Sequence, residues 1–181
     1  MVTTRIDAVL AALSMFVLCA PLCSHAHLMV EQRDTINIVE GGAFVVLSVP
    51  VAAFTGVDDD DDGRLSRAEF ASHYRDISAQ VEERLELTND AGRRPLQGLL
   101  INPGDDHAGE PSTHLVVMGR FKLDSAEDAL HLRTSLFGRT DSERTLQVAA
   151  TRGDDSAILP LTPDHPKRRR TGTLVSLAVF V

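Results

Sequence analysis

The chain has 181 residues, 43% apolar and 24% charged, a make-up that fits one ordinary globular domain rather than a disordered or fibrous chain. A net charge of −8, without a zinc-finger or RNA-binding motif, argues against non-specific nucleic-acid binding. With no Trp and a single Tyr, Tyr74, it also lacks the makings of a stacking platform for bases or sugars.

The chain begins with Arg5 followed by an apolar run over 8–22 and then Ser24, His25 and Ala26, which places small residues at the −3 and −1 positions of a cut before His27. Residues 1–26 therefore read as a secretory signal peptide, and 27–181 as the mature domain. A membrane anchor is the competing reading, but about fifteen apolar residues are few for a bilayer span. Both cysteines, Cys19 and Cys23, fall in the segment expected to be removed, which would leave the mature domain without a disulfide. Cleavage there would make His27 the terminal residue. Its amine and imidazole could chelate Cu²⁺ if a second histidine lay nearby, and an exposed, frayed terminus is the plainer alternative.

Beyond His27 the period changes to that of β-structure. Residues 35–39 and 43–49 read as two strands around Gly41 and Gly42, ending at Pro50. Next comes Asp58-Asp59-Asp60-Asp61-Asp62-Gly63-Arg64-Leu65-Ser66-Arg67-Ala68-Glu69. Its oxygen donors fall at the offsets that a calcium ion takes: Asp58, Asp60 and Asp62 at positions 1, 3 and 5, and the Arg64 carbonyl at 7. Ser66 stands at 9 and Glu69 at 12, while Gly63 at 6 permits the sharp turn. Six carboxylates face only Arg64 and Arg67, a crowding that a divalent cation would relieve. Ser66 and Glu69 also have the form of a capping box, for which the ion would compete.

A helix is expected from Ser66 to about Glu83, with Phe70, Tyr74, Ile77 and Val81 forming one apolar stripe. Residues 85–88 and 96–101 flank Asn89-Asp90-Ala91-Gly92 as a hairpin would. After a polar loop over 102–112, the segments 114–123, 129–137, 145–152, 157–161 and 173–181 are short, apolar-rich and evenly spaced, as in a sandwich or barrel. Leu115-Val116-Val117-Met118 reads as a strand buried on both faces, whereas Leu130 to Leu136 alternates as a half-buried strand does.

Residues 54–77 resemble an EF-hand with a short incoming helix begun at Pro50. The resemblance implies that Asp59 and Asp61, at positions 2 and 4, point away from the ion. It also implies that Leu65, at position 8, pairs with a second loop; since no second loop is found, either the rest of this chain or another copy must cover Leu65. More broadly, the His-Ala-His start, the Asp-rich loop, Leu136-Phe137-Gly138 and the run 161–166 are similar to the extracytoplasmic N-terminal part of HupE/UreJ-type bacterial membrane proteins. That resemblance implies a link to transition-metal transport; the nine-residue run 173–181 is expected to be a strand rather than a span.

Other chemistry is weakly signalled. His107 and His114, with Asp105, Asp106 and Glu110, could form a metal or hydrolytic site, but a solvated loop is the plainer reading, and no nucleophile elbow, zinc-protease motif or P-loop accompanies them. The basic run 167–170 could touch anionic lipid or an acidic partner, and an exposed turn is the simpler alternative.

The expectation is a mainly β, sandwich- or barrel-like domain with an EF-hand inserted at 50–84 and one long α-helix, located in the periplasm or secreted. It is expected to bind Ca²⁺ through Asp58, Asp60, Asp62, Arg64, Ser66 and Glu69, chiefly for structure, and to serve as an interaction module rather than an enzyme. Its partner would be a membrane or periplasmic protein, not nucleic acid, with no span left after cleavage. The alternative is an accessory protein handling copper or nickel.

Overall fold

Alternating apolar and polar residues on either side of Glu40-Gly41 build the first hairpin, β1 (Asp34–Val39) and β2 (Gly42–Pro50), with Ile36 opposite Val45 and Ile38 opposite Ala43. Gly41 takes φ 81° at the turn, a conformation that costs glycine nothing. The computed structural model describes residues 34–104, 110–125, 129–163 and 173–176. Residues 1–26, expected as a signal peptide, lie outside them, as do His27, Asp105, Asp106, His107, His165 and the basic run 167–170.

After β2 the chain makes a 3-10 turn (Val51–Ala53), passes through the acidic loop and enters α1 (Arg67–Arg84). Next come β3 (Leu85–Asn89), β4 (Gly92–Arg94), β5 (Leu96–Pro103), β6 (His114–Lys122), β7 (His131–Thr134), β8 (Leu146–Arg152), β9 (Asp155–Leu161) and β10 (Thr173–Ser176). A six-stranded sheet has the order β5-β6-β2-β1-β8-β9, and a four-stranded sheet the order β10-β7-β3-β4. The described chain is thus mainly β, with two sheets and one α-helix. Neighbouring strands are antiparallel except β1 and β8, which run parallel.

One core unites these elements: Ile36, Val45, Leu47 and Val117 from the larger sheet, Leu85, Leu87 and Leu132 from the smaller, and Ile77 and Val81 from α1. Phe70 and Tyr74 continue the helix stripe, half-buried, with their rings edge to face at 5.5 Å. On the opposite face of the larger sheet, the register aligns Leu100, Met118, Val46, Thr35, Ala149 and Ile158 in a row across all six strands. Leu100 is 50% exposed and Ile158 58%, so this row faces solvent at both ends.

Two expectations are corrected. Residues 96–101 do not pair with 85–88; β3 turns back through Asn89-Asp90-Ala91-Gly92 onto β4, and β5 then crosses to the other sheet beside β6. Pro95, which has no amide to give a ladder, stands at the crossing, and a register shift follows between Gln97 and Leu100, where Gly98 has φ 60°. Likewise Leu115-Val116-Val117-Met118 is not buried on both faces. Leu115 and Val117 are fully buried while Val116 and Met118 are partly exposed, because helix and second sheet cover only one side.

Candidate metal centre

The arm entering the acidic loop is shorter than an EF-hand helix. Pro50 ends β2 rather than opening a helix, one 3-10 turn follows with the Phe54 amide donating to the Val51 carbonyl, and Gly56 at φ 67° redirects the chain. An arm with so little regular structure leaves backbone groups that need partners. Gln80 of α1 accepts from the Thr55 amide at 3.0 Å and donates to the Thr55 carbonyl at 3.0 Å. Arg84, in the last turn, donates to the Ala53 carbonyl at 2.6 Å and also to the carbonyl and hydroxyl of Ser135. Phe54 and Val57 are buried beneath these contacts.

Within the loop, backbone amides hold the carboxylates in place. Asp58 accepts from the amides of Asp62 at 3.2 Å and Gly63 at 2.9 Å; Asp60 accepts from Asp62 at 3.3 Å; Asp62 accepts from Arg64 at 2.7 Å. This curl requires left-handed backbone at Asp61 (φ 56°) and Gly63 (φ 79°), residue types that bear it at low cost. Glu69 reaches back from the first turn of α1: one carboxylate oxygen accepts from the Asp59 amide at 2.9 Å and the other from the Ser66 amide at 2.8 Å. The Ser66 hydroxyl accepts from the Glu69 amide at 3.3 Å, completing the capping box.

These bonds gather Asp58, Asp60 and Glu69 so that one oxygen from each lies within 4.8 Å of the others. Ca²⁺ bonds oxygen at about 2.3–2.6 Å, so oxygens across the ion are roughly 5 Å apart, and the three fit one such ion. The capping bonds leave Glu69 within that cluster, so reaching the Ser66 amide does not withdraw its carboxylate from the site. Asp62 stands outside the group of three with its side chain turned to the Arg64 amide, while Asp59 turns to His73, Oδ1 to Nε2, at 3.0 Å.

Electrostatics divides the cluster. For Asp60 the Asp62 amide acts to lower the pKa, but desolvation, the charges of Asp62 and Glu69 and the contact with Asp58 together outweigh it and raise the carboxyl above its ordinary value. Glu69 moves the other way, held down by the side chain and amide of Ser66 and by the Asp59 amide. Desolvation and the neighbouring charges thus both fall on Asp60, while hydrogen bonds favour the charged form of Glu69.

Leu65 at position 8 is buried and paired within the chain: its amide donates to the Ser112 carbonyl at 2.8 Å, and the Ser112 amide donates to the Leu65 carbonyl at 3.0 Å. Sequence reasoning missed Ser112, Gln80 and Arg84, whose partners lie far along the chain and leave no local signature. His114 opens β6 with Nδ1 3.0 Å from the Thr113 hydroxyl, and Glu110 is exposed; among the described residues they form no cluster of potential metal ligands. No helix among the described residues is long and apolar enough to cross a membrane. No family model matches the chain, and no curated protein matches it.

Proposed function

We propose that the protein is a secreted or periplasmic calcium-binding module in which loop 58–69 holds one Ca²⁺, chiefly as a structural element of a β-rich interaction domain. The observation that carries this reading is the convergence of Asp58, Asp60 and Glu69 within 4.8 Å around a loop whose backbone curls through Asp61 and Gly63. Asp58, Asp60 and Glu69 would hold the ion by side chain, with Asp62, the Arg64 carbonyl and Ser66 completing an all-oxygen shell. Calcium supplies there a divalent charge that offsets the crowded carboxylates. The chain's own part is to keep three anions together through backbone amides.

The role is binding rather than catalysis. A protein partner, in the membrane or the periplasm, suits the exposed apolar row on the larger sheet, since such rows mark interaction surfaces more often than isolated exposed residues do. Titration calorimetry tests the calcium reading. Asp58→Ala and Glu69→Gln are expected to weaken binding at least tenfold, whereas Asp59→Asn and Asp61→Asn change it less than about threefold, because positions 2 and 4 contribute charge without a ligand. Equal losses at all four positions would reduce the loop to a diffuse acidic patch.

A further inference from the structure

We infer that Ser112 is the positioning residue of the calcium loop, taking within one chain the place that a second loop would fill in a paired EF-hand. This rests on the calcium reading above. The observation is the two-way exchange of backbone hydrogen bonds between Leu65 and Ser112, at 2.8 and 3.0 Å.

Peptide planarity turns that exchange into control of ligands. In a trans peptide the carbonyl of one residue and the amide of the next point in opposite directions. The Arg64 carbonyl and the Leu65 amide share one such unit. Since the Leu65 amide points at Ser112, the Arg64 carbonyl, the donor at position 7, is turned away from Ser112. The next unit joins the Leu65 carbonyl to the Ser66 amide. There the Leu65 carbonyl accepts from Ser112, and the Ser66 amide points the other way, onto Glu69 at 2.8 Å. Two backbone bonds to one residue therefore orient two of the donors, the Arg64 carbonyl directly and the Glu69 carboxylate through Ser66.

Ser112 is itself held firmly. It is 1% exposed, and its hydroxyl lies 2.9 Å from the Gly104 carbonyl and 2.7 Å from the His114 carbonyl, with one proton to give. The Gly104 amide donates to the same His114 carbonyl at 2.8 Å, and the adjoining Thr113 carbonyl accepts from Val51 at 2.9 Å. Both the incoming arm and position 8 of the loop are thereby fastened to the strand entering β6. The buried hydroxyl thereby fixes Ser112 against the Gly104 and His114 carbonyls, a restraint that alanine would lack. The calcium site is complete in one chain and needs no second copy.

The test measures calcium affinity, stoichiometry and terbium luminescence on the mature chain carrying Ser112→Ala or Ser112→Thr, with Leu159→Ala as a control for core loosening far from the loop. Ser112→Ala keeps the backbone bonds to Leu65 and removes the hydroxyl that fixes them in place, so calcium binding is expected to weaken by up to about fivefold, the worth of one net hydrogen bond felt wholly in the bound state. It should also shorten the lifetime of bound Tb³⁺ in H₂O relative to D₂O as water replaces a loosened donor. Ser112→Thr, which keeps the hydroxyl, should recover most of the affinity. Leu159→Ala should lower the melting temperature and leave affinity and lifetime unchanged. Wild-type stoichiometry should be one ion per chain and independent of protein concentration. If wild type binds calcium and Ser112→Ala matches it in affinity and lifetime, or if affinity rises with protein concentration, the inference is overturned. If wild type binds no calcium, it is the calcium reading that fails.

Discussion

Acidic side chains are handled in two opposite ways in this fold. In the loop, Asp58, Asp60 and Glu69 stand close together near solvent, each accepting from one or more backbone amides. Asp34, at the start of β1, is the one buried acidic residue among the described residues, 8% exposed, with the Ser48 amide donating to it at 2.6 Å. In the first place the charges of neighbouring carboxylates act beside desolvation on Asp60, whereas in the second desolvation alone raises the carboxyl. The remedies differ accordingly: a divalent cation offsets crowding, and a proton offsets burial. Burial pushes the Asp34 carboxyl up to about 6, the Ser48 amide opposing it only in part.

The largest effect that would sharpen this contrast is calcium's influence on the whole domain. Ion binding to the folded state alone adds RT ln(1 + [Ca²⁺]/Kd), about 2.7 kcal/mol at a hundredfold excess over Kd. For a domain of this size that is a rise of roughly 5 to 11 °C in melting temperature. The gain should spread to the sheets, because Leu65 is bonded to the strand entering β6 and α1 carries Ile77 and Val81 into the common core. Melting curves with chelator, calcium and magnesium decide it, with magnesium restoring little. Overlaid curves, with calorimetry still registering binding, would make the loop an independent appendage.

Next in size is Asp34. Its ordinary value is 3.8 and its folded value about 6, so between these pH values the folded state holds more protons than the unfolded chain. Its contribution is most favourable below pH 3.8 and is lost as pH rises through 6, a penalty on the order of 2 to 3 kcal/mol at neutral pH. Asp34→Asn keeps the oxygen that accepts from Ser48 and removes the charge, at the cost of burying an amide group. Urea unfolding at pH 7.5 should therefore give a variant more stable than wild type by about 1 to 2 kcal/mol, the advantage shrinking toward pH 4. A variant less stable at pH 7.5 would mean that the Asp34 charge is compensated, and the two kinds of acidic site would no longer be opposites.

The two sites also differed in legibility. Loop 58–69 drew a reading because its oxygen-bearing residues lie within twelve contiguous positions, and the structure brings three of them, Asp58, Asp60 and Glu69, together. The same holds for α1, where Ser66, Glu69 and the stripe to Val81 are local signals, and for the β1–β2 hairpin around Gly41. Asp34 carried no such mark, since a polar residue at the start of a strand looks like the end of a turn. Its burial depends on Val148 beside it in β8 and on Ser48 in β2, contacts fixed only when the sheet closes. The parallel β1–β8 pair, the crossing of β5 to the other sheet and the Leu65–Ser112 bond are all long-range. Short strands of similar composition could satisfy several pairings, so alternation revealed a two-faced β-domain without its strand order.

The smallest effect separates the sites by their response to salt. At 0.1 M ionic strength the Debye length is about 10 Å, so added salt screens the repulsion among exposed loop carboxylates, while the dry surroundings of Asp34 are little affected. Raising ionic strength from about 0.05 to 0.5 M with a monovalent salt, in chelator, should raise the melting temperature by about 1 to 2 °C, the scale of a surface electrostatic effect. The general repulsion of a chain with net charge −8 contributes to that rise, so a variant is needed to locate it. Combining Asp59→Asn with Asp61→Asn removes two loop charges while sparing the three that cluster, and should cut the salt response more than Asp154→Asn combined with Asp155→Asn at the exposed β8–β9 turn. The slope of stability against pH between 4 and 6, to which Asp34 contributes, should keep its Asp34-dependent part at both salt concentrations, read as the difference between wild type and Asp34→Asn. Were that difference to vanish in high salt, water and ions would be reaching the Asp34 carboxylate, and its raised pKa would have to come from neighbouring charges rather than from burial.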